Sequence, residues 1–115
     1  MIQWNEKKYV CHLDLGMEFI RGKWKSVIIC HLDDGPIRYL ELQRRTEGIS
    51  HKVLNEKLKE LERDGLIIKH TYPEVPPHVE FELSEMGREL FEALKMIENW
   101  AIKHFPTDHL KPIDA

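Results

Sequence analysis

The chain has 115 residues, of which 42% are hydrophobic, and a formal net charge of −3 at pH 7. This length and composition are those of a single globular domain, and no apolar run approaches the roughly 20 residues of a membrane-spanning helix. The first ten residues also lack the apolar segment of a signal peptide, so we expect a cytoplasmic protein without a membrane partner.

The first 46 residues predict an arm followed by three short helices. Residues 1–10 are expected to form the arm, in which Trp4 and Tyr9 indicate packing against the rest of the chain. The helices are expected over residues 12–20, 24–33 and 39–46, with a short strand at Ile37-Arg38 before the third. The apolar side chains spaced for burial in the second and third helices are Trp24, Val27, Ile28, Leu32, Leu40 and Leu42.

The strongest pattern lies between Gly48 and Gly65 and predicts a fourth helix over residues 51–64. Ser50 is a natural N-cap, because its hydroxyl can accept a hydrogen bond from a free backbone N–H. Gly65 is a natural stop, because glycine adopts the left-handed conformation at little cost. One side of this helix collects Val53, Leu54, Leu58 and Leu61, and the other collects His51, Lys52, Asn55 and Lys59. The second set can bond to base edges and phosphates.

A hairpin and a long helix are expected to complete the domain. Residues 66–72 and 79–83 are predicted strands, the second alternating apolar and polar side chains. The loop Pro73–Pro77 between them cannot pair as a central strand and forms a stiff wing. Ser84 is expected to cap a last helix over residues 85–105, which carries a broad apolar stripe.

Charge is distributed unevenly along the chain. Residues 21–59 contain nine basic and five acidic side chains, whereas residues 74–98 contain two basic and seven acidic ones. A basic half and an acidic half allow one face to bind phosphate while the whole protein stays near neutral.

These motifs together resemble the HxlR-type winged helix-turn-helix regulators, which are relatives of the MarR type. The resemblance covers residues 11–105 and leaves residues 106–115 as a C-terminal tail. Its motifs are Gly22-Lys23-Trp24, Leu32-Asp33-Asp34-Gly35-Pro36, Gly48-Ile49-Ser50, Leu54, Leu58 to Glu62, Asp64-Gly65-Leu66, Tyr72 to Pro77 and Leu83 to Gly87. The resemblance implies a mainly α fold with a small β-hairpin wing, in a dimeric transcription regulator of bacterial or archaeal type.

On this interpretation a homodimer binds double-stranded operator DNA through the fourth helix and the wing. The predicted DNA contacts are Arg38, Arg44, Arg45, Ser50, His51, Lys52, Asn55, Lys57, Lys59 and His78. The predicted dimer contacts are Trp4, Leu90, Phe91, Leu94, Ile97, Trp100 and Ala101. The alternative is a winged helix that serves as a protein-interaction module and has no operator of its own. Affinity for DNA that falls steeply with salt would distinguish the two.

The two cysteines are expected to differ. Cys11 lies at the expected start of the first helix with Lys7 and Lys8 upstream, and such surroundings favour the reactive thiolate. Cys11 is therefore either a sensor thiol or an inert surface residue, whereas Cys30 is expected in the core. The sequence departs from the family at two positions: His12 follows Cys11 where proline is frequent, and His78 follows the double proline where arginine is frequent.

Catalytic and metal-binding functions have little support. Neither cysteine belongs to a C-x-x-C pair, and the seven histidines are scattered. No nucleophile–base–orienter set and no glycine-rich phosphate loop is recognisable. We therefore expect neither an enzyme nor a bound metal or cofactor, and the sequence leaves the identity of any small-molecule or redox effector open.

Overall fold

The computed structural model describes residues 1–113, which form a winged helix-turn-helix domain with five α-helices. In chain order the elements are β1 (Ile2–Trp4), β2 (Lys7–Tyr9), α1 (His12–Glu18), α2 (Trp24–His31), β3 (Ile37–Arg38), α3 (Tyr39–Arg45), α4 (His51–Arg63), β4 (Ile67–Tyr72), β5 (His78–Leu83), α5 (Glu85–His104) and a 3₁₀ turn (Thr107–His109). The predicted fold class is confirmed. No helix among residues 1–113 is long and apolar enough to cross a membrane.

The N-terminal residues form a β-hairpin that the sequence did not predict. Strands β1 and β2 are antiparallel, with Ile2 opposite Tyr9. Asn5 and Glu6 form the turn with φ angles of +51° and +66°, which Asn tolerates better than most residues. As expected, the segment packs on the domain: Tyr9 is buried, and the Trp4 ring lies 5.3 Å from that of Phe19.

Helix α4 begins and ends close to the predicted residues. Ser50 Oγ accepts a hydrogen bond from the Val53 N–H at 3.1 Å, which confirms the predicted N-cap. Gly48 before the helix and Gly65 after it have φ angles of +89° and +77°, a region that favours glycine. The predicted apolar side is buried at Leu54, Leu58 and Leu61, so the opposite side faces outward.

The second sheet has the strand order β3–β5–β4, and all its pairs are antiparallel. Its core-facing side includes Phe81, which lies opposite Ile37 on β3 and Lys69 on β4. Ser84 caps α5 by accepting from the Gly87 N–H at 3.0 Å. Gly87 itself is required there, because an added Cβ would overlap the Leu66 carbonyl. The hairpin is therefore fixed tightly to the start of α5.

Two side chains predicted to be buried are exposed, and both predictions were wrong. Leu40 is 69% exposed because the inward side of α3 is occupied by Leu42. Val27 is 39% exposed because the buried side of α2 runs through Lys25, Ile28 and Ile29. Position 27 lies about 100° away from position 28 around the helix, at the edge of that side.

Candidate nucleic-acid interface

Helix α4 presents the polar face that the sequence predicted. His51, Lys52, Asn55 and Lys59 are all exposed, on the side of the helix opposite the buried leucines. Ser50, also exposed, uses its oxygen to cap the helix and keeps its hydroxyl proton available as a donor. The first turns of a recognition helix are where base edges are contacted, and four of these five residues lie there: Ser50, His51, Lys52 and Asn55.

Tyr39, at the start of α3, orients His51 on this face. Its hydroxyl oxygen lies 2.9 Å from His51 Nδ1, and the two rings stack with centroids 5.7 Å apart. Burial raises the pKa of Tyr39, and the neighbouring Asn55 side chain partly offsets that rise. Tyr39 therefore stays protonated at neutral pH, and its contact restricts the side chain of His51. No periodicity or motif links position 39 to position 51, so this role of Tyr39 could not be predicted from the sequence.

A groove of about 760 Å³ separates the start of α4 from the wing, which we define as β4, β5 and the loop Pro73–Pro77. Arg38 and Lys69 contribute cations to its lining, and Leu40, Pro76 and Pro77 contribute apolar surface. The exposed Leu40 thus has a place in this groove rather than in the core. Lys69 was likewise not among the predicted contacts. It pairs with Phe81 across the sheet and therefore lies on the same side of it, whereas the adjacent His70 lies on the other side.

The basic side chains on and around this face divide into paired and unpaired cations. Glu41 binds Arg44 at 2.7 Å and Arg45 at 3.1 Å, and Arg44, followed by Arg45, lowers the pKa of Glu41. Lys57 lies 3.6 Å from Glu60. Arg38, Lys52, Lys59 and Lys69 form no ion pair within residues 1–113. These four side chains can therefore approach phosphate without breaking an existing pair.

His78 is held within the wing rather than presented at its tip. Its side chain is 15% exposed, stacks on Tyr72 with centroids 4.7 Å apart, and lies 3.0 Å from Glu80 and 3.8 Å from Glu74. Two carboxylates thus surround the ring that the sequence suggested for a DNA contact. Residues 73–77 at the tip of the wing are all exposed, and Glu74 is the charged group among them.

The stripe on α5 is shared between the protomer's own core and its surface. Phe91 and Leu94 are buried in the protomer's own core, and the dimer contact expected of them stays a prediction. Leu90 and Ala101 are half-buried, whereas Ile97 and Trp100 are 57% and 59% exposed. Trp4, predicted to join the same surface, packs against Phe19 of its own chain.

The two cysteines are in different environments. Cys11 is exposed, immediately before α1, and its side chain makes no capping hydrogen bond. Cys30 lies on α2 beside α5 and is half-buried. Burial, followed by the charge of Glu98, raises the pKa of its thiol. Within residues 1–113, no three His, Cys, Asp or Glu side chains are placed to hold a metal ion together.

Known proteins share both this fold and the sequence motifs quoted above. The model of the HxlR-like helix-turn-helix family matches residues 19–109. The chain belongs to the HxlR-like helix-turn-helix family. This confirms the family predicted from the motifs and places the chain among the DNA-binding transcription regulators.

Similar sequences and structures are consistent with the family. The chain is 46% identical over 99 residues to the HTH-type transcriptional regulator YtcD of Bacillus subtilis (strain 168), covering 86% of this chain and 79% of that one. It is similar to a MarR-family transcriptional regulator from Porphyromonas gingivalis W83, with a TM-score of 0.80, 37% identity and coverage of 84% and 95%. It is also similar to the redox regulator HypR in its oxidized form, with a TM-score of 0.76, 31% identity and coverage of 90% and 100%.

Proposed function

We propose that this HxlR-type regulator binds operator DNA as a homodimer, with α4 in the major groove and the adjoining strand of DNA in the groove between α4 and the wing. The observation that carries the proposal is the exposed polar face of α4, whose His51 is already oriented by Tyr39. Preorientation reduces the side-chain entropy lost on binding. Asn can bond adenine through two hydrogen bonds, and Lys52 can reach guanine acceptors. Such a protein would act in the cytoplasm.

Selection of bound genomic DNA fragments, followed by titrations at several salt concentrations, tests this proposal. A regulator with its own operator should recover one sequence class and retain it against competitor DNA, and its affinity should fall steeply as salt rises. A winged-helix protein-interaction module would show no sequence preference. Asn55→Ala tests the base contact within the same experiment. Its free energy of binding to the preferred sequence should weaken by about 1–3 kcal/mol, whereas its binding to other DNA should change little.

The homodimer part of the proposal rests on the apolar side chains that the protomer leaves exposed. On α5 these include Met96, Ile97 and Trp100. The Trp100 ring packs against the ring of the exposed Phe105, with 6.1 Å between the ring centroids. Exposed aromatic and aliphatic surface of this kind is typical of interfaces. A second copy of the chain would cover this apolar surface. The resulting dimer would present two copies of α4 to DNA half-sites about 34–36 Å apart.

Light scattering at micromolar concentration tests the dimer. Ile97→Glu should give a folded monomer, because a charge buried in an interface without a partner is costly. Glu92→Gln on the same helix is the matched control and should remain dimeric, since Glu92 is exposed and forms no ion pair in the described residues. Leu94 is unsuitable for this test because its replacement would disrupt the core. A monomeric wild type would contradict the dimer.

A second function, thiol-based sensing through Cys11, is supported by the exposure of this side chain and by the similarity to a redox regulator. Peroxide would oxidise the Cys11 thiolate to a sulfenic acid and would itself be reduced to water. DNA affinity before and after peroxide should change in the wild type and in Cys30→Ser, but not in Cys11→Ser. The half-buried Cys30, whose thiol has a raised pKa, is the less reactive control. Equal responses of both variants would contradict a role for Cys11.

A further inference from the structure

The contact between Tyr39 and His51 involves only one of the two ring nitrogens of the histidine. The Tyr39 hydroxyl oxygen lies 2.9 Å from His51 Nδ1, and the two rings are stacked with their planes within 20° of each other. Within residues 1–113, His51 Nε2 takes part in no side-chain hydrogen bond. His51 is exposed and lines the groove between α4 and the wing, so Nε2 remains available to a molecule that enters the groove.

The chemistry of the two groups determines which of them donates in this contact. A phenol is a weak acid with an ordinary pKa of about 10, whereas a neutral imidazole has one basic nitrogen, whose conjugate acid has an ordinary pKa of about 6.5. The hydrogen bond is therefore stronger when the phenol O–H donates to the basic nitrogen than when the imidazole N–H donates to the phenol oxygen. Burial raises the pKa of Tyr39, so the hydroxyl keeps the proton that it donates.

This direction of donation decides what His51 can recognise. In a neutral histidine the hydrogen bond made by one ring nitrogen sets the protonation of the other, so an Nδ1 that accepts from Tyr39 leaves the ring proton on Nε2. The outward nitrogen is then a donor. On DNA it can bond to phosphate oxygens, to N7 of the purines, to O6 of guanine and to O4 of thymine. It cannot bond to the amino groups of adenine and cytosine, which are themselves donors.

We propose that Tyr39 is a positioning residue that holds His51 in the Nε2–H tautomer, so that α4 presents a hydrogen-bond donor to an acceptor atom of DNA. The inference rests on the proposed function, since it assigns that acceptor to DNA. Tyr39 acts through the ring of His51 and need not touch the DNA itself.

His12 provides an internal reference for the tautomer of His51. Each is exposed and is the first residue of its helix, α1 for His12 and α4 for His51, so the two rings experience the same kind of helix end. Within residues 1–113, the His12 ring makes no side-chain hydrogen bond, whereas that of His51 has Tyr39. A difference between the two histidines therefore reports the contact with Tyr39.

A long-range ¹H–¹⁵N correlation spectrum of the full-length, ¹⁵N-labelled protein tests the tautomer without DNA, because it distinguishes protonated from unprotonated ring nitrogens. At about pH 8, where an ordinary imidazole is neutral, the ratio of the Nε2–H to the Nδ1–H form should be roughly three- to tenfold higher for His51 than for His12. Tyr39→Phe should lower the His51 ratio to that of His12. Tyr9→Phe is the matched control and should change neither ratio, because Tyr9 is buried in the N-terminal hairpin.

Equal ratios for His51 and His12, a His51 ratio that is unchanged in Tyr39→Phe, or a dominant Nδ1–H form of His51 would overturn the proposal. Tyr39→Phe keeps the aromatic ring, and its melting temperature should stay within about 5 °C of that of the wild type. The comparison of His51 with His12 in the wild type does not need this variant and decides the proposal even where Tyr39→Phe is unstable.

Fluorescence anisotropy with a DNA fragment recovered in the selection described above tests the contact with DNA. Tyr39→Phe should weaken binding roughly two- to fivefold, since the His51 ring loses its fixed orientation. The same substitution should have no further effect when it is added to His51→Ala, because Tyr39 acts only through that ring. Equal losses in the two backgrounds would overturn the role of Tyr39 as a positioning residue.

The sequence dependence of the loss in His51→Ala distinguishes the two sources of the acceptor. A loss confined to fragments with one particular base pair identifies a base acceptor, and an equal loss on every fragment identifies a phosphate oxygen. No loss on any fragment would overturn the DNA contact of His51. Failure of the wild type to bind any fragment would overturn the proposed function, whereas the tautomer ratio, measured without DNA, would still decide the role of Tyr39.

Discussion

The Nζ atom of Lys25 lies 2.9 Å from Oε2 of Glu60 and joins the first turn of α2 to the last turns of α4. The Lys25 side chain is 9% exposed, whereas that of Glu60 is 32% exposed. Lys57 lies near the same carboxylate, at 3.6 Å. The hydrogen bond from Lys25 is the largest of the effects that lower the pKa of Glu60. One ion pair therefore fixes the helix that carries the polar face to the scaffold behind it.

Glu60→Gln should destabilise the protein, because it leaves the buried Lys25 ammonium without its counter-charge. We expect the free energy of unfolding at pH 7 to fall by about 1–3 kcal/mol, less than for a fully buried pair, since Glu60 is partly screened by solvent. Urea unfolding followed by circular dichroism measures the change. Glu56→Gln is the matched control on the same helix, because Glu56 is exposed, and it should change stability very little.

The same pair predicts a pH dependence. Because the folded pKa of Glu60 lies below its ordinary value of 4.5, the pair stabilises the protein fully above that value. This stabilisation is lost as the pH falls below 4.5 and through the folded pKa. The stability difference between the wild type and Glu60→Gln should therefore be constant from neutral pH to about 5 and shrink in more acidic solution. A difference that grows on acidification would contradict this assignment.

His31 predicts a second, separate pH effect. Burial, followed by the nearby Arg45, lowers the pKa of His31 from its ordinary value of 6.5, and its Nδ1 lies 3.0 Å from Thr46 Oγ1. Below pH 6.5 the unfolded chain binds this proton before the folded chain does, so folding stability should decrease as the pH falls from 6.5 toward the folded pKa. His31→Gln should lose this part of the decrease. Comparison of urea midpoints at pH 7.5 and 5.5 with those of His12→Gln, an exposed control, would detect it; equal pH responses in all three proteins would contradict it.

The sequence predicted those structural features that depend on only a few neighbouring residues. Ser50 and Ser84 as caps, Gly48 and Gly65 as turn residues, and the buried leucine side of α4 depend on a few neighbouring residues, and all were predicted. The motif match then identified the family. These features also place the polar face, since a helix with one buried side has its opposite side exposed.

Features set by contacts between distant segments were not predictable in the same way. The burial of Lys25 depends on Glu60, 35 positions later in the chain, and lysine alone indicates exposure. A local contact can be ambiguous as well: Arg44 pairs with Glu41, three positions earlier, and this competes with its predicted role toward phosphate, so the sequence allowed both. Trp4 and Tyr9 of the N-terminal hairpin line one cavity together with Arg63 and Asp64 at the end of α4, and no pattern in either segment indicates that the two lie close together.

The division between paired and unpaired cations predicts which ones contribute to DNA affinity. Lys59→Ala should weaken binding to all DNA sequences and lower the slope of log affinity against log salt by about one. Arg44→Ala should change that slope less, because Glu41 already holds the guanidinium through hydrogen bonds of 2.7–2.9 Å. Fluorescence anisotropy over a salt series compares the two. A larger effect from Arg44→Ala would show that DNA breaks the pair with Glu41.

Substitutions at Glu74 and at His78 in the wing should differ in their effect on DNA affinity. With the sequence alone, His78→Arg is expected to tighten DNA binding by adding a cation to the wing. In the structure, however, position 78 lies between Glu80 and Glu74 and is mostly enclosed, so an arginine there would pair with these carboxylates. Glu74 is 65% exposed in the wing loop, and its negative charge repels an approaching phosphate.

We therefore expect Glu74→Gln to tighten binding to any DNA sequence, by a few fold at low salt and less at high salt, since the charge is exposed to screening. His78→Arg should change affinity by less than Glu74→Gln under the same conditions. Glu85→Gln, an exposed carboxylate at the start of α5, controls for the change in net charge alone. If all three variants bind with the same affinity as the wild type across the salt series, the wing loop does not approach the phosphates. A gain from His78→Arg that exceeds the gain from Glu74→Gln would show that the side chain at position 78 leaves its carboxylate partners and reaches the DNA.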